Sequence, residues 1–270
     1  MLLLLYFELK RFQRLLPDWL TACGLTAYFI LIAEHSRPFL RQFKLNDPRI
    51  QHPFAEIERV SGLMCLVLAA VVPLVVIAFV CSYKHSSRDQ AWHVLNVSVL
   101  GLFLCIAIDG VVTDVLKAWI GIPRPDFLAR CGPALKTPLD QFVDVSVCTA
   151  PLGQRLLQDG MRSMPSGHSL ISFAAFGYLC MWLFGQGKLA LLPTTKPLYL
   201  YLGAFSPLMV ATYIALSRVQ DYRHSFMDIT VGSLLGCVVA LLVHGKYFHS
   251  FWAERSGELL DSDAEPILPI

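Results

Sequence analysis

The residues able to do chemistry in this chain fall in three short blocks. "KAWIGIPRP" places six residues between Lys117 and Arg124, "PSGH" runs from Pro165 to His168, and "SRVQDYRHSFMD" carries Arg218, His224 and Asp228. A phosphate monoester holds up to two negative charges. Lys117, Arg124 and Arg218 can surround it, each arginine offering a planar fork of donors to two oxygens. Ser166, Gly167 and His168 read as a helix start, where unpaired backbone N–H groups bind anions and glycine lets the backbone come close. Such a cradle can stabilise the equatorial oxygens of a transferring phosphoryl group, so neither a metal nor any cofactor is expected.

The two histidines differ in their surroundings. His224 and Asp228 are at i and i+4, so on a helix they share a face. The carboxylate can then fix the tautomer and leave the other ring nitrogen free to attack phosphorus. His168 has no carboxylate at helical spacing and is better suited to giving a proton to a leaving alkoxide. Taken alone, Lys117 at the end of an apolar run would merely snorkel to an interface. Its meaning comes from the company of the other two blocks.

These blocks must be brought together by elements far apart in sequence. The chain has 270 residues, of which 55% are hydrophobic and 16% charged, against about 25% charged for an ordinary soluble domain. Mean hydropathy is +0.55. Apolar runs near 19–33, 60–82, 94–116, 169–184, 198–216 and 229–243 suit membrane spans of ~20 residues. An all-α, polytopic membrane protein with six transmembrane helices is therefore expected, with Pro73 tolerated inside the second span. With alternate crossings, the connections after spans one, three and five share one face, and Lys117, Arg124, His168, Arg218 and His224 all belong to it. The expected catalytic pocket lies at helix ends on that face. Lys and Arg are spread too evenly over the two faces to orient the protein by charge.

The rest of the chain divides as an interfacial amphipathic helix over 1–17, ended near Pro17, a six-span domain over 18–245, and an acidic, disordered tail over 246–270. The start lacks the charge order and cleavage site of a signal peptide. A net charge of +2 gives no reason to expect a nucleic-acid partner. Six of the eight cysteines lie in apolar runs; Cys131 and Cys148 share one polar loop, and would pair if it faced an oxidising compartment. Asp114, three residues before Lys117, is expected to pair with it, and Asp109, deeper in the same span, to be structurally paired. Asp221 and Arg223 are expected near the pocket mouth, without a chemical role.

Together the blocks resemble the three signatures of the type-2 phosphatidic acid phosphatase superfamily, K-x6-R-P, P-S-G-H and S-R-x5-H-x3-D. The wider strings "RPDFLARC" and "DYRH" resemble its fungal and plant branch of lipid phosphate and diacylglycerol pyrophosphate phosphatases. The resemblance implies His224 as nucleophile, Asp228 as its orienting partner and His168 as acid and then base. Lys117, Arg124, Ser166, Gly167 and Arg218 would hold the phosphate. It also implies metal-independent hydrolysis of phosphatidate, and of diacylglycerol pyrophosphate or lysophosphatidate, with the site lumenal or extracellular and both termini cytosolic. The membrane would be an endomembrane such as vacuole, Golgi or ER, or the plasma membrane. The sequence leaves open a polyprenyl diphosphate or sphingoid-base phosphate phosphatase, and a silent lipid-phosphate-binding relative. Leu170 and Ile122 stand where many relatives carry serine and a basic residue, which touches substrate preference.

Overall fold

The computed structural model describes residues 10–84, 87–191 and 195–260. Six of its helices are long and apolar enough to cross a membrane. α1 spans Lys10–Tyr28 and continues as a π-helical turn over Phe29–Ala33; α2 spans Gly62–Lys84 and α3 Arg88–Ile120. Two short helices follow, α4 at Phe127–Cys131 and α5 at Gln154–Asp159. The last three are α6 at Gly167–Gly187, α7 at Leu198–Gln220 and α8 at Phe226–Tyr247.

The helices outrun the apolar windows because polar ends continue the same hydrogen-bonded spiral. α3, with 33 residues, is about 50 Å long and must project beyond a hydrocarbon core of about 30 Å. α6 is the axis of the bundle: it packs against α8, α7, α3 and α2. Its Tyr178 and Trp182 are fully buried, with partners for their polar tips in the Ser98 carbonyl at 3.1 Å and the Ser98 hydroxyl at 2.9 Å. Between spanning helices such burial acts through close packing and interhelical hydrogen bonds, since lipid is as apolar as the bundle interior. The outer faces of α2 and α7 present Leu63, Phe79, Leu202 and Met209 outward, as lipid requires.

Two glycines decide how closely α8 approaches α6. A β-carbon at Gly236 would sit 2.3 Å from the Leu170 carbonyl oxygen, and one at Gly232 would sit 2.6 Å from that of Ser166. Without side chains there, the backbones touch, and the start of α6 is pressed against the start of α8.

On one face the connections after α1, α3 and α7 interlock. Phe43 and Val143 pair as an antiparallel bridge, and the His52 N–H donates to the Pro125 carbonyl at 2.9 Å. Phe43, Ile50, Phe127, Leu157 and Met161 form a second apolar core outside the bundle. Cys131 and Cys148 are bonded as a disulfide within it. On the opposite face Asp18 of α1 accepts from Lys246 and Tyr247 of α8, each at 2.8 Å.

Two expectations about the ends are corrected. α1 does not stop at Pro17 but runs through it, and the stretch long and apolar enough to span begins at Arg11; a spanning helix keeps going through a proline because breaking it would free more backbone groups in lipid. The segment after α8 is not wholly a loose tail. Phe248 pairs with Leu259, Ser256 is buried, and the Gln186 amide donates to the Gly257 carbonyl at 2.8 Å. Residues 261–270, the remainder of the expected tail, and 1–9 lie outside the described residues.

Candidate active site

The three blocks meet on the interlocked face. Lys117 lies in the last turn of α3, whose helix ends at Gly121. Its ammonium lies beside the first turn of α6: a β-carbon at Gly167 would be 3.3 Å from Lys117 Nζ and 3.0 Å from the Thr113 methyl. Glycine in "PSGH" is therefore what admits the cation. Arg124 follows between two prolines that bar helix. Its backbone N–H donates to the Gly160 carbonyl at 2.8 Å, and its Nη2 donates to Asp159 Oδ1 at 2.8 Å.

Ser166 is the N-cap of α6, its Oγ accepting from the Ser169 hydroxyl at 3.1 Å. Its own N–H donates to the Asp228 backbone carbonyl at 3.1 Å, which joins the second block to the third. His168 Nε2 is 3.1 Å from the Val60 carbonyl oxygen. A carbonyl only accepts, so this contact keeps the proton on Nε2. The same oxygen accepts from Arg218 Nη1 at 2.7 Å.

His224 does not sit on a helix as its spacing with Asp228 implied. It occupies the turn before α8, whose N-cap is Ser225 and whose third residue is Asp228. Asp228 Oδ2 accepts from the Ser225 N–H at 2.7 Å and the Ser163 hydroxyl at 2.8 Å, while Ser225 Oγ accepts from the Asp228 N–H in a reciprocal capping box. The pair is adjacent all the same, with His224 Nδ1 3.8 Å from Asp228 Oδ2. That is too long for a hydrogen bond and short enough for a strong field.

Electrostatically the site is one unit. His168 lies in the field of Arg218, His224, Lys117 and Arg124. Burial, reinforced by Arg124 and Lys117, pushes the His224 imidazole below its ordinary range against the opposing pull of Asp228. It is neutral at physiological pH, with a lone pair to give. Burial lowers Arg124 to about 10, so it stays cationic. Burial alone would raise Asp159; Arg124, Arg130 and Lys117 override it and hold the carboxyl well below its usual range.

Among the described residues, the buried Arg124 Nε, Arg218 Nε, Arg223 Nε, Thr113 Oγ1 and His224 Nδ1 make no hydrogen bond. Buried polar groups are nearly always satisfied, and guanidinium donors of this kind, together with the Lys117 ammonium, suit an anion. Beside it a cleft of about 770 Å³ opens between the 41–50 loop and Ile122, Met164, Met227 and Asp228.

Every residue assigned to the site from sequence converges here, but two neighbouring acids behave otherwise. Asp114 pairs with Arg162 at 2.9 Å instead of Lys117. Asp109 is fully buried, and neither carboxylate oxygen has a hydrogen-bond partner among the described residues. Asp221 and Arg223, given no role from sequence, are buried members of ion pairs. Glu58, Asp126, Arg130 and Asp159 were not anticipated; the only local signal was the i, i+4 spacing of Asp126 and Arg130 inside "RPDFLARC".

Comparison with known proteins bears on the same stretch of chain. The profile of the PAP2 superfamily matches residues 98–252, which holds all three blocks. The chain belongs to the PAP2 superfamily. It is 44% identical over 215 residues to a protein of Saccharomyces cerevisiae named diacylglycerol pyrophosphate phosphatase 1, covering 79% of this chain and 73% of that one. A Schizosaccharomyces pombe protein named probable diacylglycerol pyrophosphate phosphatase 1 is 36% identical, over 89% of this chain and 84% of its own length. Lipid phosphate phosphatase 2 of Arabidopsis thaliana is 33% identical, over 67% of this chain and 59% of its own. No solved structure matches.

Proposed function

We propose that this PAP2 protein is a metal-independent phosphatase of lipid phosphates, acting on phosphatidate and on diacylglycerol pyrophosphate or lysophosphatidate through a phosphohistidine on His224. The observation that carries this reading is the pair of buried guanidinium Nε donors of Arg124 and Arg218, without hydrogen-bond partners among the described residues, in company with a neutral His224 imidazole whose Nδ1 faces Asp228. The membrane bundle and the names of the relatives support a lipid as the bearer of the phosphate.

Lys117, Arg124 and Arg218 hold the non-bridging oxygens, with Ser166 and Gly167 at the start of α6 completing the cradle. The His224 lone pair on Nε2 attacks phosphorus while the bond to the lipid oxygen breaks, and His168, cationic once the phosphate dianion is bound, gives its Nδ1 proton to that oxygen and keeps its Nε2–H on the Val60 carbonyl. Asp228 steadies the charge that develops on the His224 ring. His168, now a base, takes a proton from water, which attacks phosphorus; the N–P bond breaks and inorganic phosphate leaves with His224 restored. The disulfide on the same face as the site supports a lumenal or extracellular pocket and cytosolic termini, because such bonds persist in oxidising compartments.

The test is phosphate release from phosphatidate and diacylglycerol pyrophosphate in detergent micelles, with and without chelator. The expected result is release unaffected by chelator and reduced about 10³-fold or more by His224→Ala. A parental rate in that variant, or loss of activity on chelation, contradicts the reading. A polyprenyl diphosphate or sphingoid-base phosphate hydrolysed far faster in the same panel would reassign the substrate.

A further inference from the structure

The two arginines of the cradle are joined behind it by an unbroken chain of alternating charges. From Arg124, Asp159 Oδ1 is 2.8 Å away, and Asp159 Oδ2 is 2.8 Å from Arg130 Nη1. Arg130 donates to both oxygens of Asp126, at 2.9 Å each. Asp126 Oδ2 also accepts from Arg223 Nη1 at 3.2 Å. Arg223 Nη2 is 2.9 Å from Glu58 Oε1, and Glu58 Oε2 is 3.1 Å from Arg218 Nη1. The Phe54 ring lies under both interior guanidiniums, at 5.1 Å from Arg130 and 4.3 Å from Arg223.

Three features set this chain apart from ordinary stabilising ion pairs. Its centre, Asp126 and Arg130, is fully buried, where desolvation cancels much of the Coulomb gain and a salt bridge is weak evidence for stability. Its ends are the two guanidiniums of the cradle, each bonded to the chain through an Nη and each with its Nε buried and unpartnered. Its members come from each connection on the site's face: the loop before α2, the loop between α3 and α6, and the turn between α7 and α8. Asp221 extends the network, 3.7 Å from Arg218 Nη1 and paired in turn with Arg59, so five guanidiniums stand against four carboxylates and one positive charge is left in excess, which suits an anion.

We infer that Glu58, Asp126 and Arg130 are positioning residues for the phosphate, acting through Arg124 and Arg218, whose mutual placement the ion chain sets. Glu58 is the informative member, because its two oxygens divide between Arg218 and Arg223. This inference rests on the proposed role of Arg124 and Arg218 in holding phosphate.

The experiment compares Glu58→Gln, Glu58→Asp and, as a control, Asp18→Asn, which removes an ion pair on the opposite face. Each is measured for kcat/KM on phosphatidate, for the inhibition constant of orthovanadate, and for thermal unfolding in detergent. Glu58→Gln is expected to weaken vanadate inhibition and lower kcat/KM by a similar factor, about tenfold, as for the loss of one charge-assisted contact. Glu58→Asp, which keeps the charge, is expected to recover part of both. Asp18→Asn is expected to move only the unfolding temperature. Vanadate inhibition and kcat/KM unchanged in folded Glu58→Gln would overturn the inference and leave the phosphatase reading intact. A parent protein that neither releases phosphate nor responds to vanadate would overturn both.

Discussion

Asp228→Asn separates the two roles that the structure gives to one carboxylate. Asparagine keeps an oxygen to accept from the Ser163 hydroxyl and the Ser225 N–H, so the capping box survives in shape. What disappears is a negative charge 3.8 Å from His224 Nδ1. At an effective dielectric constant of 20, two unit charges at that separation interact by about 4 kcal/mol. The His224 ring becomes cationic as the N–P bond forms, so most of that interaction acts on the transition state, and about 10³-fold in kcat is at stake. Weaker capping costs about 1 kcal/mol of stability, which thermal unfolding reads separately. The assay is single-turnover appearance of phosphorylated protein and of free diacylglycerol from labelled phosphatidate. A variant within about tenfold of the parent would refute the reasoning, leaving Asp228 as a helix cap alone.

Other perturbations probe separate parts of the account. His168→Gln should slow hydrolysis of phosphatidate by about 10²–10⁴-fold while sparing phosphoenzyme formation from p-nitrophenyl phosphate, whose leaving group needs no proton; equal losses on both substrates would remove the acid role. Gly167→Ala drives a methyl toward Lys117 Nζ and the Thr113 methyl, so activity should fall more than stability, and an unchanged vanadate inhibition constant would show that Lys117 does not face the phosphate. Cys148→Ser opens a 17-residue separation and should destabilise the protein by about 3 kcal/mol; an unchanged unfolding temperature counts against the bond. A histidine whose folded pKa is depressed below 6.5 binds its proton more readily unfolded, so its contribution is intact above pH 6.5 and is lost as pH falls. The stability of His224→Asn should therefore vary less with pH below 6.5 than the parent's, by up to about 1.4 kcal/mol per pH unit, and parallel profiles would contradict the buried neutral imidazole.

The spans were legible because a hydrocarbon core leaves no choice of period or polarity, and the site because its residues cluster at span ends within three tight blocks. What escaped the sequence is what depends on distant loops. Glu58 meets Arg218 across 160 residues and Arg124 meets Asp159 across 35, and no local spacing announces either. The pairing of Asp114 went wrong for a related reason: helical spacing offered Lys117, but the Lys117 ammonium lies beside Gly167, and Arg162, from a loop, took the acid. His224 and Asp228 are neighbours as their spacing implied, but through a different geometry and without the expected hydrogen bond. Their four-residue spacing on a helix is replaced by a turn followed by a capping box, which brings the side chains together nearly as well.

The central claim is that His224 bonds to phosphorus, and rapid quenching tests it directly. Detergent-solubilised protein mixed with phosphatidate labelled in its phosphate, quenched in alkali and digested, should yield acid-labile label on the peptide containing His224, absent from His224→Ala and accumulating in parallel with the first release of diacylglycerol. Label on the His168 peptide, or turnover with no labelled protein at any quench time, would contradict the account.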